Sequence, residues 1–310
     1  MISNKCTVLF FFLAFFVSSE VFAKLRVVVT IPEFKEVFEA VGREEVEVVS
    51  LLDGRENPHF VDAVPSFIAE VASADVVCAV GLELEIGWLP KVLSKSGNAK
   101  VQPGGKGFCE IGDSVHVLER HSGSVDRSMG DVHAGGNPHF HLSPTALKEV
   151  SEKVFKVLSQ LAPEKTKTFR KNASQFNSKM DALKQSVALK LQALKGLKVI
   201  QFHKEFSYFF SEYSLLSLGT IEDKPGVPPS SARISQVALS SKASGVALAI
   251  GSFHTPNNYL EKFTEISGIP NIKIPASVQL RDEKLDSIDK VQNFIADHLV
   301  QALAVKSVTR

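Results

Sequence analysis

A chain of 310 residues, 44% of them hydrophobic, can fill more than one core, since single domains usually run to about 100 to 150 residues. Its 35 basic and 34 acidic residues leave a formal charge of +1, which gives no bulk attraction for nucleic acid or an anionic surface and argues against both as partners. Three cysteines without Cys-x-x-Cys spacing exclude a disulfide scaffold and a thiolate metal site.

The chain opens on Lys5, an apolar run from Val8 to Val17, a polar Ser18-Ser19-Glu20 and a short Val21-Phe22-Ala23 end. That order predicts a secretory leader over 1–23, cleaved before Lys24 and leaving a protein in the periplasm. The apolar run is shorter than the roughly 20 residues a bilayer span needs. Cys6 has no small-residue lipobox around it. Lys5 and Glu20 leave together, so the formal charge is unchanged. Cys78 and Cys109 remain; export permits a pair without demanding one, and Cys78, in a strand expected to be buried, would pack equally well as a free thiol.

From Leu25 short β-branched runs alternate with amphipathic stretches. Strands are predicted over Leu25–Thr30, Val46–Leu52 and Asp75–Val80, helices over Phe34–Val41, Val64–Ala72 and a segment containing Trp88. Such alternation predicts a parallel sheet covered by helices. Residues 104–136, rich in Gly, Ser and charge without a sustained period, are expected to form a mostly irregular loop. Ser143-Pro144 supplies an N-cap and a first-turn proline for a helix to about Leu161. A second start at Pro163 leads to Leu194 without another proline or glycine; at 1.5 Å per residue that helix spans about 50 Å and could bridge two lobes. After Gly196 the alternation restarts: strands at Leu197–Phe202, Leu215–Ile221, Val246–Gly251 and Ile272–Ile274, helices at Glu205–Tyr213, Ile234–Ser241, Asn258–Ile266 and Leu285–Leu303. The expected organisation is an α/β lobe over 24–162, a linker helix over 163–195 and a second α/β lobe over 196–310.

Three of the nine histidines fall just after predicted strands: His59 in Asn57-Pro58-His59-Phe60, His139 in Asn137-Pro138-His139-Phe140, and His203 in Gln201-Phe202-His203. Ligands of open α/β sheets bind beyond the carboxyl ends of strands, so these imidazoles are expected to face a crevice. One Asn-Pro-His is an ordinary turn; two copies plus a third strand-end histidine point to a metal. Three neutral nitrogens with one carboxylate suit Zn²⁺, whereas Mn²⁺ prefers more oxygen; Cu²⁺ and Ni²⁺ would also bind such a set in vitro.

The chain resembles the metal-ion ABC-transporter binding proteins specific for zinc and manganese. The resemblance covers nearly all of the chain after the leader and is carried by Asn57-Pro58-His59, by Ala74-Asp75-Val76-Val77 with Gly81-Leu82-Glu83-Leu84-Glu85 and Trp88-Leu89, by Asn137-Pro138-His139-Phe140-His141-Leu142-Ser143-Pro144, and by Phe202-His203-Lys204-Glu205-Phe206-Ser207-Tyr208-Phe209. It implies two α/β lobes joined by one rigid helix, a metal site between them, ligand roles for His59, His139 and His203, and delivery of the ion by a monomer to a membrane permease.

Many members of that family carry an aspartate after the last strand, where this chain reads Ile274-Pro275-Ala276-Ser277-Val278. Glu222, closing the predicted strand Leu215–Ile221, is the expected fourth ligand, with Asp223, Asp282 or water as alternatives. Zinc-specific members often have a histidine-rich loop; here it holds only His116, His121 and His133 beside Asp131, a capture device or a solvated loop. His141 is expected to point away from His139 if the segment is extended. His254 follows a strand end, a position near the cleft, but matches the family poorly, and His298 reads as a structural or surface residue. Lys224-Pro225-Gly226-Val227-Pro228-Pro229-Ser230, similar to one branch of the family, reads as a stiff turn. A secreted zinc hydrolase is the rival class, since three histidines and an open position activate water, though no His-Glu-x-x-His is present. A metal-binding adhesin or chaperone would share the fold.

Overall fold

β-Branched residues dominate Leu25–Val29 and Val46–Ser50, and in the computed structural model these form the parallel strands β1 and β2. The structure describes residues 24–120 and 133–308. The leader, His121 and Asp131 lie outside them. Val76–Ala79, buried at every position as expected of a strand covered on both faces, is β3. The first sheet is completed by β4, Phe108–Glu110, in the order β2-β1-β3-β4. Pro32–Gly42 (α1), Pro65–Ala72 (α2) and Leu89–Ser96 (α3) accompany it, each with a proline in its first turn, where the missing N–H costs nothing.

Two features differ from the sequence expectation. β4 lies inside the stretch read as irregular, because three residues are too few to show a period and the strand is defined by its neighbour: Cys78 pairs in register with Cys109. Trp88 precedes α3 as its N-cap. Pro90 fits only a helix's first turn, and the Trp88 indole donates to the Pro58 carbonyl at 2.9 Å, fixing the loop that carries His59.

The Cys78–Cys109 pair is a disulfide closing a 31-residue separation and tying the edge strand to the sheet. A thiol assay on unfolded, unreduced protein should find neither thiol free, and reduction should cost about 2–4 kcal/mol of stability. Two titratable thiols would refute the pairing.

Pro144–Leu161 (α4) is capped as predicted, the Ser143 hydroxyl accepting from the Ala146 N–H. The long helix α5 runs over Thr166–Lys190 between short 3₁₀ turns. It is not a bare strut: Phe169, Ala173, Phe176, Met180, Leu183 and Val187 are buried, and Asn172 donates to the Val41 carbonyl of α1.

The second sheet repeats the first. Lys198–Gln201 (β5), Leu216–Thr220 (β6), Leu248–Ser252 (β7) and Asn271–Ile274 (β8) run parallel in the order β6-β5-β7-β8, with helices Ser207–Tyr213 (α6), Ser231–Ala243 (α7) and Asn257–Ser267 (α8). Ile200, Phe202, Val237, Ala249, Leu260 and Phe263 fill one side of this sheet as a separate core.

The chain then returns to the first lobe. Beyond β8, Glu33 of α1 accepts from the Ser277 hydroxyl at 2.8 Å and the Val278 N–H at 2.7 Å. Leu280 N–H donates to the Asp53 carbonyl and Arg281 pairs with the Asp53 carboxylate. Glu36 accepts from the Ile288 N–H as Ile288–Val308 (α9) begins. Val278, Leu285, Val291, Ile295 and Leu299 join the larger core. The chain therefore runs between the lobes twice, through α5 and through this segment.

Candidate metal centre

Both Asn-Pro-His turns are built alike. The Asn57 amide oxygen accepts from the His59 N–H at 3.1 Å, and the Asn137 oxygen from the His139 N–H at 2.9 Å, the side-chain-to-backbone closure that makes asparagine a turn residue. Each turn presents the imidazole two residues on. Neither histidine follows a strand directly, contrary to the sequence expectation. Long connections after β2 and β4 carry them, and only His203 stands two residues past a strand, β5. The Asn137 amide nitrogen also donates to the Lys204 carbonyl at 2.7 Å, which joins the second turn to the segment bearing His203.

The three rings converge. Centroids lie 5.2 Å apart for His59 and His139, 5.5 Å for His59 and His203, and 5.6 Å for His139 and His203. One ligand atom of each falls within 4.8 Å of the others, and the Nε2 atoms of His59 and His139 are 3.3 Å apart. Two nitrogens each about 2.05 Å from a tetrahedral Zn²⁺ stand about 3.3 Å from one another. This is the one such group of metal-binding side chains among the described residues.

His139 is buried, and burial first, then the neighbouring imidazoles, holds its pKa well below the ordinary histidine value. It is therefore neutral at neutral pH, with a lone pair to offer. Glu222, also buried, is placed differently from a fourth member of the group. Its Oε2 meets His203 Nδ1 at 2.9 Å and accepts from the Gly226 N–H at 3.3 Å. A carboxylate on one ring nitrogen fixes the ring and makes its other nitrogen the better ligand. Asp223 is paired with Arg233 at 3.9 Å, and Asp282 closes a turn by accepting from the Lys284 N–H.

His141 is not on an extended segment. Phe140–Leu142 is a 3₁₀ turn, which buries His141 with its Nε2 2.9 Å from the Ala276 carbonyl oxygen and its ring 5.9 Å from that of His139. His133, grouped in the sequence with the loop histidines, has its ring centroid 5.1 Å from His59. His116 is remote from it, beside Glu149. His254 lines the same cavity as His59 and His203, its pKa lowered by burial. His298 stacks on Phe294 within α9, the structural one of the two roles expected. The Pro225–Pro229 turn contributes Gly226 and Pro228 to the cavity wall.

Sequence reasoning missed Glu205. It is buried on the same cavity wall, with its pKa raised by burial. An acidic residue at a predicted helix start reads as a complement to the helix dipole, and only the fold shows it turned inward.

The family model described as zinc-uptake complex component A, periplasmic, matches residues 27–302. The zinc-binding lipoprotein AdcA of Streptococcus pneumoniae is 26% identical over 226 residues, 72% of this chain but 44% of that protein. The high-affinity zinc uptake system protein ZnuA of Brucella abortus is 33% identical over 99 residues, 32% of this chain and 30% of that one. These matches span less than half of either relative. A crystal structure of ZnuA superposes with a TM-score of 0.73 at 22% identity over 90% of this chain and 99% of that one. The binding protein FpvC of Pseudomonas aeruginosa, solved with Mn²⁺, gives 0.75 at 20% identity over 92% and 100%. At these identities the superpositions establish the fold: two parallel-sheet lobes with a long helix between them.

Proposed function

Because the chain belongs to the family of periplasmic zinc-uptake components, we propose that it is an extracytoplasmic solute-binding protein that takes up one Zn²⁺ as cargo and hands it to an ABC-transporter permease. The convergence of His59, His139 and His203 carries this reading. Two of these imidazoles come from connections of the first sheet and one from the second, so moving the lobes apart would dismantle the set. A cargo site must be dismantled to release its ion. A hydrolytic site would instead hold the metal on one rigid lobe.

Three nitrogen donors favour Zn²⁺ over Mn²⁺, which is the alternative cargo. In this reading Glu222 keeps His203 turned toward the ion. No ester, amide or lactam is expected to be hydrolysed. Calorimetry on protein stripped of metal should give one high-affinity zinc site per chain, and zinc at a hundred times its Kd should add about 2.7 kcal/mol of stability. Absence of that site, or robust hydrolytic turnover of the zinc-loaded protein, would overturn the reading.

A further inference from the structure

The two sheets follow one plan, so their crevices can be compared directly. Where strand order reverses, loops leave on opposite faces and open a gap, between β1 and β3 in the first sheet and between β5 and β7 in the second. Glu85 fills the first gap. Its Oε1 accepts from the Thr30 hydroxyl at 2.6 Å and the Val80 N–H at 2.8 Å, and its Oε2 from the Gly81 N–H at 3.2 Å. Both oxygens are satisfied, and this carboxylate is a structural plug.

Glu205 stands at the second gap and is built otherwise. Only 7% of it is exposed. It shares a cavity wall with Ser252 at the end of β7, and its Oε2 is buried without a hydrogen-bond partner. Glu205 lines a cavity of about 270 Å³ shared with His59, His203 and Glu222. Since a water takes about 30 Å³ of liquid volume, the cavity has room for several beyond an ion. Glu222 is already committed to His203 and Gly226. Glu205 is not among the side chains whose donor atoms all fall within 4.8 Å of one another, yet it lines the same cavity as His59 and His203.

Building on the cargo site argued above, we propose that Glu205 is a positioning residue whose Oε2 accepts a hydrogen bond from a water bound as the ion's fourth ligand. Three histidines and one exchangeable water then complete the coordination. The buried carboxylate offsets part of the ion's charge, and the ion supplies the donor that the carboxylate lacks. The missing aspartate at Ile274–Val278 is thereby replaced in function but not in position.

The test uses Co²⁺, whose visible spectrum reports its ligands, with azide as the probe. Azide should displace the water and shift the Co²⁺ bands of the wild-type protein. Glu205→Gln keeps the shape but removes the charge. It should weaken zinc affinity about tenfold and tighten azide binding about tenfold by removing a nearby like charge, with the melting temperature of the metal-free protein confirming that the variant folds. A merely structural carboxylate would leave azide affinity unchanged. Co²⁺ bands that ignore azide in both proteins, or equal zinc and azide affinities in both, would overturn this inference while leaving the three-histidine site intact. Failure of the wild-type protein to bind Co²⁺ or Zn²⁺ would overturn the cargo reading itself.

Discussion

His139→Ala is expected to weaken zinc binding by more than about 100-fold, beyond the 10- to 100-fold that loss of an outer partner costs. His139 is the most enclosed of the three imidazoles and is held neutral by its burial, so no proton has to leave before the metal arrives. Removing it leaves the ion with two nitrogens in a site that cannot supply a third. His59→Ala and His203→Ala should lose affinity of the same order. Glu222→Gln should fall within the 10- to 100-fold range, because His203 survives but loses the partner that orients it. His133→Ala should cost less than any of the three, and His116→Ala, whose residue sits with Glu149 away from the group, should cost nothing measurable. Competition calorimetry against a chelator of known affinity resolves the series. Equal losses at His116 and His139 would show that the ion binds elsewhere.

What the sequence made legible was whatever repeats or lies close together along the chain. Asn57-Pro58-His59 and Asn137-Pro138-His139 announced two like turns, and both close through the asparagine oxygen. The two sheets were legible because buried parallel strands show continuous apolar runs, as in Val76–Ala79. β4 was not, because its three residues take their conformation from β3 and the Cys78 bond. Glu222 was placed at the right sheet edge, but periodicity carries no information on whether a carboxylate meets an ion or the nitrogen behind it. Glu33 shows the same limit: at the start of α1 it reads as a complement to the helix dipole, yet it is buried and holds Ser277 and Val278, distant in sequence.

Gly54→Ala is expected to be severely destabilising, for a reason visible only in the fold. Gly54 has φ +87, and a Cβ there would stand 1.6 Å from the Val278 carbonyl oxygen and 2.8 Å from its carbon. Backbone cannot yield as a side chain can, so the segment returning from β8 would have to lift. Lifting it strains three attachments at once: Glu33 to Ser277 and Val278, Asp53 to Leu280 and Arg281, and the Ala276 carbonyl to His141. The loss should exceed about 4 kcal/mol, or roughly 10 °C in melting temperature, and zinc affinity should fall with it because His141 packs beside His139. Gly97→Ala is the control. Its φ of +66 is also left-handed, but nothing lies within 4 Å of an added Cβ, so the cost is the conformational penalty alone, about 1 kcal/mol. Urea unfolding of both variants separates the two contributions. Similar small losses at both glycines would mean that the Ala276–Arg281 segment is not seated on the first lobe.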